Sequence, residues 1–303
     1  MTAALGVIAR WLTFAAVLSA VGAIAFRFVV ARRVGVSDAA CARAERSAAS
    51  VGVTAGIAVV PAALLRLVVQ TAQMRFPDDS WLAIGGRLVA STAWGTIWMV
   101  QLVAAMLLVP AFYAARRGGL WRWVTAAVLT LALSITPTLA SHAMSSGGPK
   151  IVTAGADWIH VLAAGTWIGT LSVMCVALRA RDPGDTIGSS MMQWLAAFSP
   201  LALTGAAFVA ASGLVSSLFR LRGFGALIHT QYGKTLLVKL AAVAIVVLIG
   251  WINWKRNTPA VVSSGASPIR AGMRAELIAA AVVLIVTAIL VSTSPPMDAM
   301  QMP

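Results

Sequence analysis

Tyr232–Trp254 reads YGKTLLVKLAAVAIVVLIGWINW, a stretch whose only charges are Lys234 and Lys239. A bilayer core about 30 Å thick needs roughly 20 apolar residues in an α-helix, so this stretch predicts a membrane span. Seven further runs share its character, at 8–31, 49–72, 88–114, 120–141, 153–178, 193–218 and 274–293. Residues that break helices separate them: Pro77-Asp78-Asp79, Gly118-Gly119, Gly147-Gly148-Pro149, Asp182-Pro183-Gly184 and Ser263-Ser264-Gly265. The expected fold is therefore all-α: a polytopic integral membrane helical bundle of about eight transmembrane helices, forming a single transmembrane domain over 1–303. Asp38 to Arg46 reads as a short helical extension. Composition agrees, with 60% hydrophobic and only 11% charged residues. Soluble domains are roughly a quarter charged.

A net charge of +14 could suit nucleic acid. The basic residues, however, sit in short clusters between apolar runs, the pattern by which a membrane protein marks its cytoplasmic face. The expected surroundings are a lipid bilayer, and no nucleic-acid partner is expected. With the N-terminus outside, the connections facing the cytoplasm hold 14 Lys and Arg and the opposite side holds 8, leaving Lys239 within a span. Both termini are then periplasmic, in a multi-pass protein of the bacterial inner (plasma) membrane. The first run is a poor signal peptide, because Arg32-Arg33 follow it as a cytoplasmic stop. Cys41 and Cys175 fall in or near the inner side, so no periplasmic disulfide is expected.

The chain also reads as a parallel 4+4 internal repeat, with half-copies at about 1–141 and 142–294. Arg10-Trp11-Leu12-Thr13-Phe14 opens the first run, and Asp157-Trp158-Ile159-His160-Val161 lies in the fifth. In each, a glycine follows the tryptophan by 11 positions, at Gly22 and Gly169. Trp94-Gly95 and Gln101-Leu102 correspond to Tyr232-Gly233 and Lys239-Leu240 at an offset of 138. Leu65-Arg66-Leu67 pairs more weakly with Phe219-Arg220-Leu221. Thr13 and Gln101 thus correspond to His160 and Lys239, so the second half carries the ionisable version of each position. An ionisable group in a span costs several kcal/mol unless paired or wetted, which marks both residues for function. Lys239 can alternatively snorkel to the surface.

The three histidines all fall at or near the outer face: His142 at the end of the fourth run, His160 early in the fifth, and His229 in a loop before the seventh. Spans four and five are antiparallel neighbours, which can bring His142 and His160 together with Met144. Asp157 lies three residues before His160 and shares its helical face, so it can orient the imidazole through the second ring nitrogen. The tail at 295–303 adds Met297, Met300 and Met302 in a polar segment with no core to fill. Imidazole with thioether favours copper, and Cu(I) in particular, over hard cations. Met99, Met106, Met174, Met191 and Met192 lie in or near spans and read as packing residues. Each histidine also has a plainer reading as a solvated or packed side chain. The chain has no glycine loop leading to a phosphate-binding lysine, no Cys-x-x-Cys and no His-Glu-x-x-His. An enzyme is not expected.

Several segments resemble the copper resistance D family of bacterial inner-membrane proteins. They are Asp157-Trp158-Ile159-His160 through Trp167-Ile168-Gly169, Phe198-Ser199-Pro200-Leu201-Ala202-Leu203, Tyr232 through Leu240, Asn253 with Pro259, Glu276, and Pro295-Pro296. The resemblance concentrates in 140–296. It implies copper uptake or tolerance together with a periplasmic copper-binding partner protein, without ATP hydrolysis. Thr13 departs from the histidine expected near that point in many relatives, which puts a first-half ligand in doubt.

The leading reading is a copper-handling protein that captures copper at the periplasmic face and transfers it into or across the membrane. In that reading His142, Met144 and His160 form the uptake site, with Asp157 behind His160, and the tail methionines raise local copper concentration. Two rivals stand beside it. One is a membrane b-type haem protein or haem-linked oxidoreductase, suggested by His160 with Lys239. The other is a non-transporting membrane partner of a periplasmic copper chaperone.

Overall fold

The structure, a computed structural model, describes residues 2–31, 38–140, 149–179, 187–221, 223–259, 261 and 267–293. Every regular element among the described residues is helical. Eight helices are long and apolar enough to cross a membrane. They are α1 (Thr2–Val30), α2 (Asp38–Met74), α4 (Ala93–Ala115), α5 (Leu120–Leu139), α6 (Lys150–Ala177), α7 (Ile187–Arg220), α9 (Gln231–Asn257) and α10 (Ser267–Ser292). Two short helices, α3 (Trp81–Ser91) and α8 (Phe224–His229), precede α4 and α9. Helices suit a bilayer because each satisfies its own backbone donors and acceptors where no water can do so.

The expected extension at Asp38 is the start of α2, continuous with the span. The apolar run at 88–114 is not one helix. Thr92 breaks it, adopting an extended conformation (φ −124°, ψ 148°), and its hydroxyl caps α4 by accepting from Gly95 N at 2.9 Å. Thr230 does the same for α9, accepting from Gly233 N at 3.0 Å. Both glycines are needed for the fold back: a Cβ on Gly95 would lie 2.3 Å from the Leu88 carbonyl, and one on Gly233 would lie 2.2 Å from that of Ala226. His229, expected in a loop, ends α8 and is exposed.

Helix α1 is the hub. It packs on α2, α5, α6 and α10, and 61% of its apolar window is buried against 17–44% for the others. Small residues let the helices approach, among them Ala16, Ala20, Ala48, Ala105 and Ala126. Outward faces carry Ile57, Leu64, Leu203, Leu214, Trp251 and Ile278, as lipid contact requires. Met174 and Met191 fill the core, whereas Met99 and Met106 face outward. Near the opposite end of α1, Arg27 pairs with Glu45 of α2 at 3.1 Å, both nearly enclosed.

Three spans contain a widened turn of the π type: Phe26–Val30 in α1, Gly165–Gly169 in α6 and Asn253–Asn257 in α9. Among the described glycines, the tightest backbone-to-backbone approach lies at the second of these, where α6 crosses α1. A Cβ on Gly169 would sit 1.9 Å from the Leu18 carbonyl oxygen, and one on Gly22 would sit 2.0 Å from the Gly169 carbonyl carbon. Backbone cannot yield as a side chain can. Gly169→Ala is therefore expected to destabilise the chain by at least about 1–3 kcal/mol. Gly155→Ala, on the same helix with nothing within 4 Å, should be neutral or better. Thermal unfolding of the two variants in detergent checks the contrast, and equal behaviour would refute the close approach.

Candidate functional site

Polar side chains that enter a membrane bundle must find partners within it. One such group among the described residues lies between α6 and α7. Ser212, Ser216 and Arg220 recur every fourth residue along α7 and so form one stripe. Antiparallel to it, α6 presents His160 and, one turn earlier, Asp157. The Asp157 carboxylate accepts from Ser216 Oγ at 2.7 Å and forms an ion pair with Arg220. His160 Nδ1 meets Ser212 Oγ at 3.1 Å. Gly213 lets the ring lie against α7, since a Cβ there would come within 3.4 Å of His160 Cε1. Gly205 does likewise beside Trp167.

The serine bears on the state of the imidazole. A hydroxyl has one proton to donate. That of Ser212 goes to the Phe208 carbonyl, 2.5 Å away in its own helix. With that proton donated to the Phe208 carbonyl, the Ser212 oxygen accepts from the ring, an arrangement that puts the ring proton on Nδ1 and leaves a lone pair at Nε2. A neutral imidazole held in this way is the form that binds a metal ion.

Helix α9 brings two more groups. Tyr232 is buried beside Arg220, with Leu236 and Leu290 packed around it. Lys239, two turns further along, is half-buried and lies within electrostatic range of His160, Asp157 and Arg220. Asp157, His160 and Lys239 therefore gather in one cluster. Asp157 does not hold the imidazole as its spacing suggests: its carboxylate turns to Arg220 and Ser216, because a charged guanidinium is the stronger donor. His142, Met144, Met297, Met300 and Met302 lie outside the described residues, and His229 stands apart at the surface. Sequence reading missed Ser212, Ser216, Tyr232 and the role of Arg220, although the fourfold spacing along α7 was a usable signal.

A second polar group lies nearer the other end of α6. Glu276 of α10, 3% exposed, accepts from Trp167 Nε1 at 3.1 Å and from Asn253 Nδ2 at 3.0 Å. Asn257 in turn donates to Asn253 Oδ1 at 2.8 Å. Gly250 and Gly272 leave room for the carboxylate and the amide. Among the described residues, no three His, Cys, Asp or Glu side chains come together to hold a metal ion.

Trp167, Asn253 and Glu276 thus converge from three helices, α6, α9 and α10. The family described as copper resistance protein D-like, N-terminal domain, matches residues 1–152, and the family described as copper resistance protein D matches residues 192–290. The chain belongs to the copper resistance protein D family. Two relatives resemble this CopD-family chain over long stretches. The copper transport protein CutJ of Bacillus subtilis (strain 168) is 28% identical over 169 residues, covering 54% of this chain and 30% of CutJ. The chain thus spans less than a third of CutJ. The copper resistance protein D of Pseudomonas syringae pv. tomato is 27% identical over 224 residues, covering 70% of this chain and 72% of the relative. No solved structure matches. The CopD-family chain is accordingly a copper-related, multi-pass bacterial membrane protein, and its relatives carry the names of copper transport and resistance proteins rather than of enzymes.

Proposed function

We propose that this CopD-family protein captures copper at the periplasmic face of the inner membrane and transfers it into or across the bilayer, with His160 as a ligand on the route. The observation that carries this reading is the contact of His160 Nδ1 with Ser212 Oγ, which directs Nε2 away from α7's serine. When the Ser212 hydroxyl donates to the Phe208 carbonyl, Nδ1 carries the ring proton and the Nε2 lone pair is left for a soft cation. The names of the two relatives, one of transport and one of resistance, support the metal.

Capture begins with His142 and Met144 beside His160, and Cu(I) is the favoured state for such ligands. The tail methionines Met297, Met300 and Met302 raise the local copper concentration, with exposed His229 an accessory surface ligand. The orientation drawn from basic residues puts all of these on the periplasmic side, where a periplasmic copper-binding protein delivers the ion. The half-copies 1–141 and 142–294 gain support from the paired Thr92 and Thr230 caps. In this reading only the second half carries the ligands, because Thr13 stands where His160 does.

The test uses the purified chain in liposomes with a Cu(I) chelator dye inside and no other protein. Copper supplied outside should reach the dye faster than in protein-free vesicles. Copper that binds but never enters would instead favour a non-transporting partner of a chaperone. A Soret band with stoichiometric haem in the same sample would favour the haem protein.

A further inference from the structure

At the end of the bundle where α1 begins, a different set of polar side chains meets between α1, α2, α4 and α10. Arg66 on α2 donates to Gln101 Oε1 at 3.3 Å and lies over the Trp94 ring at 5.9 Å. Arg10 on α1 donates to Ser292 Oγ at 2.7 Å, and its charge acts on Arg66. Gln101 is 1% exposed, yet its Nε2 donor has no partner. Among the described residues, no Asp or Glu pairs with either arginine.

Two guanidinium groups and a buried amide donor therefore converge with no negative charge to receive them. Like charges in a bundle interior repel, and a buried donor left unmatched is costly. Each arginine lies about 12 Å along its helix from the nearer end, at 1.5 Å per residue. The second half shows what is missing. There Arg220 has the Asp157 carboxylate, and Asp157 stands 147 positions after Arg10. Lys239 likewise stands 138 positions after Gln101. Where one half places an acid, the other places a second cation.

We propose that Arg10, Arg66 and Gln101 form an oxyanion-binding site for a phosphate group, which occupies the place that Asp157 fills beside Arg220. Arginine forks suit phosphate oxygens, and the free Gln101 amide supplies a further donor. The phosphate can come from the headgroup of an anionic phospholipid or from solution. The site is independent of the copper reading and stands if that reading fails.

The experiment measures unfolding temperature of the whole chain in neutral detergent, titrated with short-chain phosphatidylglycerol or with inorganic phosphate. Native mass spectrometry counts the bound lipid. At least one of the two should raise the unfolding temperature of the wild type to saturation. Arg66→Lys keeps the charge but loses the fork, and should raise the half-saturating concentration about 10- to 100-fold. Arg10→Asp supplies the missing acid from within, so the fold should hold while the ligand response disappears. Arg122→Gln, exposed at the other end of the bundle, should respond like the wild type. A response to phosphatidylglycerol alone assigns the phosphate to a headgroup, and an equal response to inorganic phosphate assigns it to a free ion. No response of the wild type to either, or full response in both Arg66→Lys and Arg10→Asp, overturns the site.

Discussion

Replacing His160 with alanine should abolish high-affinity Cu(I) binding to the chain, while Ser212→Ala should weaken it by about 10- to 100-fold. The two effects differ because the residues act differently. In the proposed site His160 supplies the lone pair, whereas Ser212 acts only on the ring's orientation and tautomer through its contact with Nδ1. Without the serine oxygen the ring regains its freedom and the alternative tautomer, but Nε2 still exists. A competition titration against a Cu(I) chelator separates these cases, and Ser212→Thr, which restores a hydroxyl, should recover most of the loss. Wild-type affinity in His160→Ala would remove His160 from the copper route.

The second large effect concerns the ion pair below it. Asp157→Ala should destabilise the protein by about 3–5 kcal/mol, because it leaves Arg220 as an uncompensated charge inside the bundle. The pair is mostly enclosed, with side-chain exposures of 15% and 18%, so solvent relieves little of that cost. Arg220→Ala should cost a similar amount for the reverse reason. The double variant should lose less than the sum of the two, since neither orphaned charge remains. Unfolding in detergent over the four proteins measures the coupling. Single variants within about 0.5 kcal/mol of wild type would mean that water or lipid reaches the pair.

The spans were legible because bilayer thickness leaves few choices for an apolar run such as Tyr232–Trp254. Thr92 was harder. It sits within an unbroken apolar run, and only its hydroxyl bond to the Gly95 amide reveals that one helix ends and another begins there. Asp157, His160 and Lys239 were visible as ionisable groups in apolar surroundings, whatever their partners. The partners themselves were hidden for two reasons. Serines in spans usually bond back to their own helix, as Ser217 does to Gly213, so the spacing of Ser212 and Ser216 marked a polar stripe without showing that it serves α6. Arg220 closes a span and reads like any basic residue that marks a membrane face. The contact between Trp167 and Glu276 joins residues 109 apart, and no periodicity reports it. The family resemblance rests on Trp167, Asn253 and Glu276 among other residues, but nothing in it joins the three.

The widened turn in α6 explains how one helix reaches both polar groups. His160 and Trp167 are seven residues apart, and seven residues of regular α-helix return a side chain to within about 20° of its starting direction. An uninterrupted α6 would therefore point both side chains the same way. Yet His160 addresses Ser212 on α7, while Trp167 addresses Glu276 on α10. The turn at Gly165–Gly169 holds a surplus residue, and Trp167, its central member, is rotated away from the regular helical position by part of the roughly 100° that one residue represents. Its five members include Gly165 and Gly169, which also bear the crossing with α1. A single extra residue thus works as a rotational offset between the two halves of the helix. Losing one residue there would restore regular helix with the two side chains six residues and still about 120° apart, so the widened turn lets this span carry one residue more than regular geometry without bringing the imidazole and the indole onto one face.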